Sequence, residues 1–357
     1  MVRNIQVDYE NPDLLFLGTE LGLYITMNGG IQWYKFTNNV PSVAIHHMEL
    51  HKESNDLVMG THGRGIIIID DISPLREINQ ETLQEKLHFF ANKPVVINDN
   101  QTFSGSFGGE TQFVGSNEST SAQIKYSLKK RHTFGKMTML VLNDKGDTIS
   151  ELGPGKTKGI NIVNWNYSMK QPKIAKGKTF SFGGFTTPRL PAGTYTIRIK
   201  KGKDTFEHTI ELIYDPKSTI PLSARELKRK TVMELYNMCE SLAYDVYCVD
   251  AYIEYANTAK NKKLSAKLNT LKEKMVITTG DNYVGSAEPQ LREKMTNIFS
   301  RIENNPGAPT NTELENLSQV RKQYDSSKLE LSKLEKKYKL VKRVEIKSKT
   351  AFLTSDK

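Results

Sequence analysis

Two stretches near the N-terminus decide the fold: Asp13-Leu-Leu-Phe-Leu-Gly-Thr-Glu-Leu-Gly-Leu-Tyr-Ile-Thr26 and Asp56-Leu-Val-Met-Gly-Thr-His-Gly-Arg-Gly-Ile-Ile-Ile-Ile69. Asp13 and Asp56 stand 43 residues apart, as do Gly22 and Gly65, while Gly18-Thr19 and Gly60-Thr61 align with a one-residue slip. Each copy reads strand, glycine-bearing turn, strand, and each follows a further strand candidate at 4–7 and 46–51. Several short strands repeated every 40–50 residues predict blades of a β-propeller. Two blades cannot close a ring, which takes roughly four to eight. Residues 1–76 are therefore expected to be the last two blades of an incomplete ring, the others lying upstream or in a partner chain.

Outward from the repeat, residues 77–122 show little periodicity. They include Phe103-Ser-Gly-Ser-Phe-Gly-Gly-Glu and read as a linker. Strand candidates resume at 124–128, 136–142, 160–165, 195–200 and 206–213, with turn signals at Asn143-Asp-Lys-Gly146 and Pro191-Ala-Gly-Thr. That spacing predicts an immunoglobulin-like β-sandwich over 123–214. From Ser223-Ala-Arg-Glu226, a capping-box pattern, the period becomes helical, and Thr310-Asn-Thr-Glu313 opens the last helix. There Leu314, Leu317, Val320, Tyr324, Leu331, Leu334, Tyr338 and Val341 form one apolar stripe. Residues 219–345 read as an antiparallel helical bundle and 346–357 as a tail. The expected class is mainly β plus α.

The net charge of +10 is uneven: 217–357 holds 26 Lys and Arg against 18 Asp and Glu. This region reads as a solvated helical face, with an anionic polymer as the other possible partner and nucleic acid not expected. Every hydrophobic run is too short or too charged to span a bilayer. No apolar signal core follows Met1, so an export signal is expected upstream of the chain. Cys239 and Cys248, nine residues apart in one helix, point to opposite sides and read as free core thiols.

Thr26-Met-Asn28-Gly29-Gly30-Ile-Gln32-Trp33 resembles the Asp-box of bacterial-neuraminidase (BNR) repeats, Ser/Thr-x-Asp-x-Gly-x-Thr-Trp. Thr26, Gly30 and Trp33 match, Asn28 replaces the Asp, and Gln32 replaces the Thr. The box implies a structural turn on a blade rim, with Trp33 buried between strands. The wider repeat, Gly159-Ile-Asn-Ile-Val-Asn-Trp165, Leu190-Pro-Ala-Gly-Thr-Tyr-Thr-Ile197 and Tyr283-Val-Gly-Ser-Ala-Glu-Pro-Gln-Leu-Arg-Glu resemble exported bacterial proteins with a sortilin-type propeller, an immunoglobulin-like module and a helical tail. Many of these are labelled glycosyl hydrolases on repeat content. The resemblance implies a periplasmic, envelope or extracellular location for the intact protein.

Thr61-His62-Gly63-Arg64-Gly65 is the candidate ligand site, because it sets an imidazole and a guanidinium on one turn. The competing reading is a plain glycine turn with Arg64 paired to Asp70 or Asp71. His46, His47 and His51 lie along a strand, too spread for a metal, and no cofactor motif is present. Glycosidic hydrolysis needs two carboxylates flanking one bond, and none is visible in these blades. The expected function is non-catalytic binding or scaffolding around a peptide or glycan. The alternative is the C-terminal portion of a propeller-type glycoside hydrolase with its catalytic residues upstream.

Overall fold

The computed structural model describes residues 1–99, 121–279 and 287–355. It is a mixed β and α structure with several antiparallel sheets, none closed into a barrel among the described residues. The first sheet runs β1 (Val2–Val7), β2 (Leu15–Thr19), β3 (Gly22–Thr26), β4 (Tyr34–Phe36); the second runs β5 (Ile45–His51), β6 (Asp56–Thr61), β7 (Ile66–Ile69). Period-2 alternation gives each sheet two distinct faces. Phe16, Leu23 and Ile25 of the first sheet share a core with Ile45, Met48, Leu50, Leu57 and Met59 of the second. The sheets approach so closely at Gly18 that a Cβ there would stand 3.0 Å from Ile45.

The opposite face of the first sheet is exposed along β1 and half-buried along β2 and β3. Register aligns Ile5 with Leu17 and Tyr24, and Val7 with Leu15. Ile5 is 53% and Val7 45% exposed. By the repeat offset, with its slip on the second strand, these five positions correspond to Met48, Leu50, Leu57, Met59 and Ile67. All but Ile67 are buried, and Ile67 packs against the same core. The second sheet's outer face carries Val58, Ile66 and Ile68 where the first has Phe16, Leu23 and Ile25. Ile66 is 71% and Ile68 54% exposed.

Two short strands fall within the stretch read as linker. β8 (Leu87–Phe89) pairs with β10 (Ala122–Leu128), and β9 (Val95–Ile97) runs parallel to β15 (Asp204–Tyr214). Three residues each are too few to show periodicity, yet Leu87 and Ile97 enter the core. The Phe103 glycine-rich run and residues 283–286 lie outside the described residues. With β11 (Met137–Leu142), β12 (Thr148–Leu152), β13 (Gly159–Trp165) and β14 (Gly193–Lys201), these strands form two sheets. Their orders are β13-β10-β8 and β12-β11-β14-β15-β9, around one core. Trp165 meets Tyr195 edge-on at 5.8 Å in that core.

Short α1 (Ser73–Glu77) follows β7; helices dominate from α2 (Leu222–Thr258) through α3 (Lys262–Met275), α4 (Leu291–Asn304), α5 (Asn311–Tyr338) and α6 (Lys349–Thr354). The Thr310–Glu313 capping box forms, the two residues exchanging hydrogen bonds. The Ser223 box does not, because Pro221 caps α2 and places Ser223 inside the helix. At 1.5 Å per residue α2 is about 55 Å long. α3 lines its C-terminal half through the Asp250–Lys272 ion pair, and α4 its N-terminal half, where Lys228 Nζ donates to the Glu303 and Asn305 carbonyls. The pairs Glu234–Arg321, Asp245–Tyr324, Tyr252–Glu335 and Tyr255–Arg343 ascend together. α5 thus runs parallel to α2, which corrects the antiparallel expectation for that pair. The stretch read as a tail holds α6, whose Phe352 stacks on Tyr247 at 4.8 Å. Cys239 and Cys248 are buried free thiols, pushed up by burial to about 12 and about 11.

Charged pairs with little exposure join these parts. Arg76 grips Asp8 with Nε and Nη2, and Lys125 Nζ reaches Asp71. Arg225 Nη1 donates to Asp99 at 2.7 Å, which holds that carboxyl below its ordinary value. Arg292 Nη2 donates to the Thr179 carbonyl and hydroxyl.

Candidate functional site

The β6–β7 turn is built by its glycines. The Thr61 amide and hydroxyl both donate to the Gly65 carbonyl, at 3.0 and 2.6 Å. Gly63 (φ 80°) and Gly65 (φ 65°) are left-handed, a region that costs other residues strain, and neither has an atom within 4 Å of where a Cβ would stand. The turn is therefore open on the side that its side chains face.

His62, Gly63, Arg64 and Gly65 are all exposed. The His62 amide donates to the Ala44 carbonyl, and its ring stacks on His46 at 5.5 Å and 15°. Of the two partners suggested for Arg64, Asp71 is taken by Lys125, and Asp70 forms no ion pair among the described residues. Burial would raise the Asp71 carboxyl, but Lys125 and Ser73 outweigh it and hold it below its ordinary value. Among the described residues, Arg64 makes no hydrogen bond or ion pair. The turn thus presents two imidazoles and a guanidinium with no carboxylate against them, an arrangement suited to an anionic group.

His46 is the member that sequence reasoning missed. The β5–β6 register slips between Ile45 and His47, and this bulge leaves His46 without a partner in the ladder. A bulge has no residue signature here, so nothing in the sequence couples His46 to a turn 16 residues on. Among the described residues, no group of three or more His, Cys, Asp or Glu is placed to hold a metal.

The Asp-box-like turn is held by its own atoms. Thr26 is buried; its Oγ1 donates to Asn28 Oδ1 at 2.9 Å and accepts from the Gly30 amide at 3.1 Å. Asn28 Oδ1 also accepts from the Gln32 amide at 2.9 Å, so Asn serves where the box has Asp. Gly30 has φ 93°, and the Trp33 ring passes 3.8 Å from its would-be Cβ. Trp33 is half-buried and outside the shared core, which corrects its expected burial between strands. The ring covers the turn instead.

The most buried carboxylate of the two sheets, Asp8, is bound rather than free. Its Oδ1 accepts from the Glu10 and Asn11 amides. Burial raises this carboxyl, but Arg76 and those amides prevail and lower it. Comparison of the chain with protein families, with curated proteins and with solved structures finds no match.

Proposed function

We propose that this chain is a non-catalytic binding or scaffold region of an exported propeller-type protein, whose His62–Arg64 turn receives the anionic end of a peptide or glycan. The observation that carries the reading is the part-exposed face of the first sheet. Met48 and Leu50 are buried in the second repeat, whereas their counterparts in the first, Ile5 and Val7, are exposed and Leu15 and Leu17 are only half-buried, as expected if a further sheet of the same kind packs there. A large exposed apolar face in a folded protein marks an interaction surface. The missing blades, upstream or in a partner chain, are the natural occupant.

The second β region supports the immunoglobulin-like reading. Strands 1, 2 and 5 of its sequence order (β8, β10, β13, omitting the short β9) form one sheet and the rest the other, a Greek-key-like division. The Tyr195 hydroxyl donates to the Pro191 carbonyl four residues upstream at 2.9 Å, as in a tyrosine corner. Such a module would brace the propeller or dock partners.

The test is binding of acidic peptides and of sialylated or sulfated oligosaccharides to the intact protein. Arg64→Ala should weaken an anionic ligand by about 1.5–3 kcal/mol, the worth of a charged hydrogen bond, and leave neutral analogues unaffected. Unchanged affinity in a folded variant removes Arg64 from the site. Turnover of aryl glycosides by this chain would overturn the non-catalytic reading.

A further inference from the structure

A cavity of about 310 Å³ lies between α2, α5 and the chain that follows α5. That volume is at the lower end for small-ligand sites. Tyr244, Asp245, Cys248 and Tyr252 face it from α2, and Lys328 and Glu335 from α5. Val341, Val344 and Ile346 close its far side, and the Tyr244 hydroxyl donates to the Lys347 carbonyl at 3.0 Å, tying that segment down.

Its two carboxylates are each met by a phenol. Tyr324 donates to Asp245 Oδ2 and Tyr252 to Glu335 Oε1, both at 2.9 Å. Neither carboxylate forms an ion pair with a cation among the described residues. The nearest cations, Lys328 and Lys349, act on Asp245 only at a distance. Lys349 donates to Ser241 Oγ instead, and Lys328 is exposed, 5.9 Å above the Tyr324 ring. A carboxylate withdrawn from water without a cation is unfavourable, and burial duly pushes the Asp245 carboxyl up. The Cys248 thiol is neutral, raised by burial to about 11. Asp245, Cys248 and Glu335 do not form a metal-holding group.

We propose that this cavity binds a small aliphatic amine, its ammonium set between Asp245 and Glu335 and its carbon chain against the aliphatic wall. The ammonium supplies the missing countercharge, and Val344 and Ile346 cover the methylenes. This site is independent of the β6–β7 turn, so the two readings stand or fall separately.

Titration calorimetry of the whole chain with 1-aminobutane tests the proposal, with butanoate, an anion of the same carbon count, as the counter-probe. One saturable site is expected for the amine and none for butanoate. Asp245→Asn and Glu335→Gln keep an oxygen for each tyrosine to donate to, and each should weaken binding at least about tenfold. Lys328→Ala, at an exposed position, should tighten binding about twofold by removing the competing cation, an effect that misfolding would not produce. Absence of saturable binding to the unaltered chain overturns the proposal. So do equal binding of butanoate and affinity that none of the three substitutions moves.

Discussion

Asp8 and Arg76 show how a single pair fixes the relation of the two N-terminal sheets. The Asp8 side chain has no exposed surface and the Arg76 side chain 9%. Arg76 also donates to Asn55 Oδ1 at 3.0 Å and lies 4.7 Å from the Tyr9 ring centre, so one guanidinium ties the β1–β2 loop to the β5–β6 loop. Asp8→Asn leaves that buried guanidinium with only the exposed Glu10 carboxylate, 3.0 Å from Nη1, and should cost about 2 kcal/mol at pH 7. Because the folded Asp8 carboxyl is lowered, its contribution is complete well above the unfolded value of about 3.9 and is lost as pH falls through the folded one. Urea unfolding of the two proteins should therefore differ at pH 7 and converge toward pH 2; an equal gap at both ends would assign the loss to packing. The sequence could not reveal this pair, since its members are 68 residues apart and neither sits in a motif. The candidate turn was more legible, because glycines flanking Arg64 state both the bend and the exposure. His46 was not, because only the bulge brings it there.

At the level of elements, the repeat announced β2, β3, β6 and β7 although none of them exceeds six residues, whereas the short strands outside it, β8, β9 and β12, did not show. β8 and β9 are held by the sheets they join rather than by their own propensity. The direction of α5 was hidden for a related reason: α3 and α4 share the length of α2 between them, so the last helix returns parallel to the first. Glycines record a third constraint. The 166–192 segment lies so close to α4 that a Cβ on Gly183 would stand 2.3 Å from the Thr296 carbonyl oxygen. Gly183→Ala should cost about 1–3 kcal/mol through forced backbone movement. Gly153, with nothing within 4 Å of its Cβ position, should accept Ala with little change. Thermal unfolding of the two variants checks the contrast, and equal midpoints would mean that the segment can retreat from α4 freely.

Among the described residues, three apolar cores are joined by charged seams. The β-then-α order was readable from the change of period near residue 220; the joints between the cores were not, since each depends on residues far apart in the chain. The part-exposed face of the first sheet should govern solution behaviour. Ile5→Lys with Val7→Thr places polar groups on that face without touching the shared core. The double variant should bind less of a hydrophobic dye and self-associate less at high concentration, with its melting temperature little changed. A large loss of stability would show that the face is covered within the chain.

The matched faces of the two repeats have an evolutionary consequence. A sheet that meets its successor with the same residues by which its predecessor would meet it can be duplicated in frame without any interface being invented. Gain or loss of whole 43-residue steps then leaves the packing between sheets unchanged, whereas a one-residue insertion within a strand turns that strand's later side chains to the wrong face. Proteins carrying this repeat should differ in length by multiples of about 43 residues, and variation within a repeat should gather in its turns.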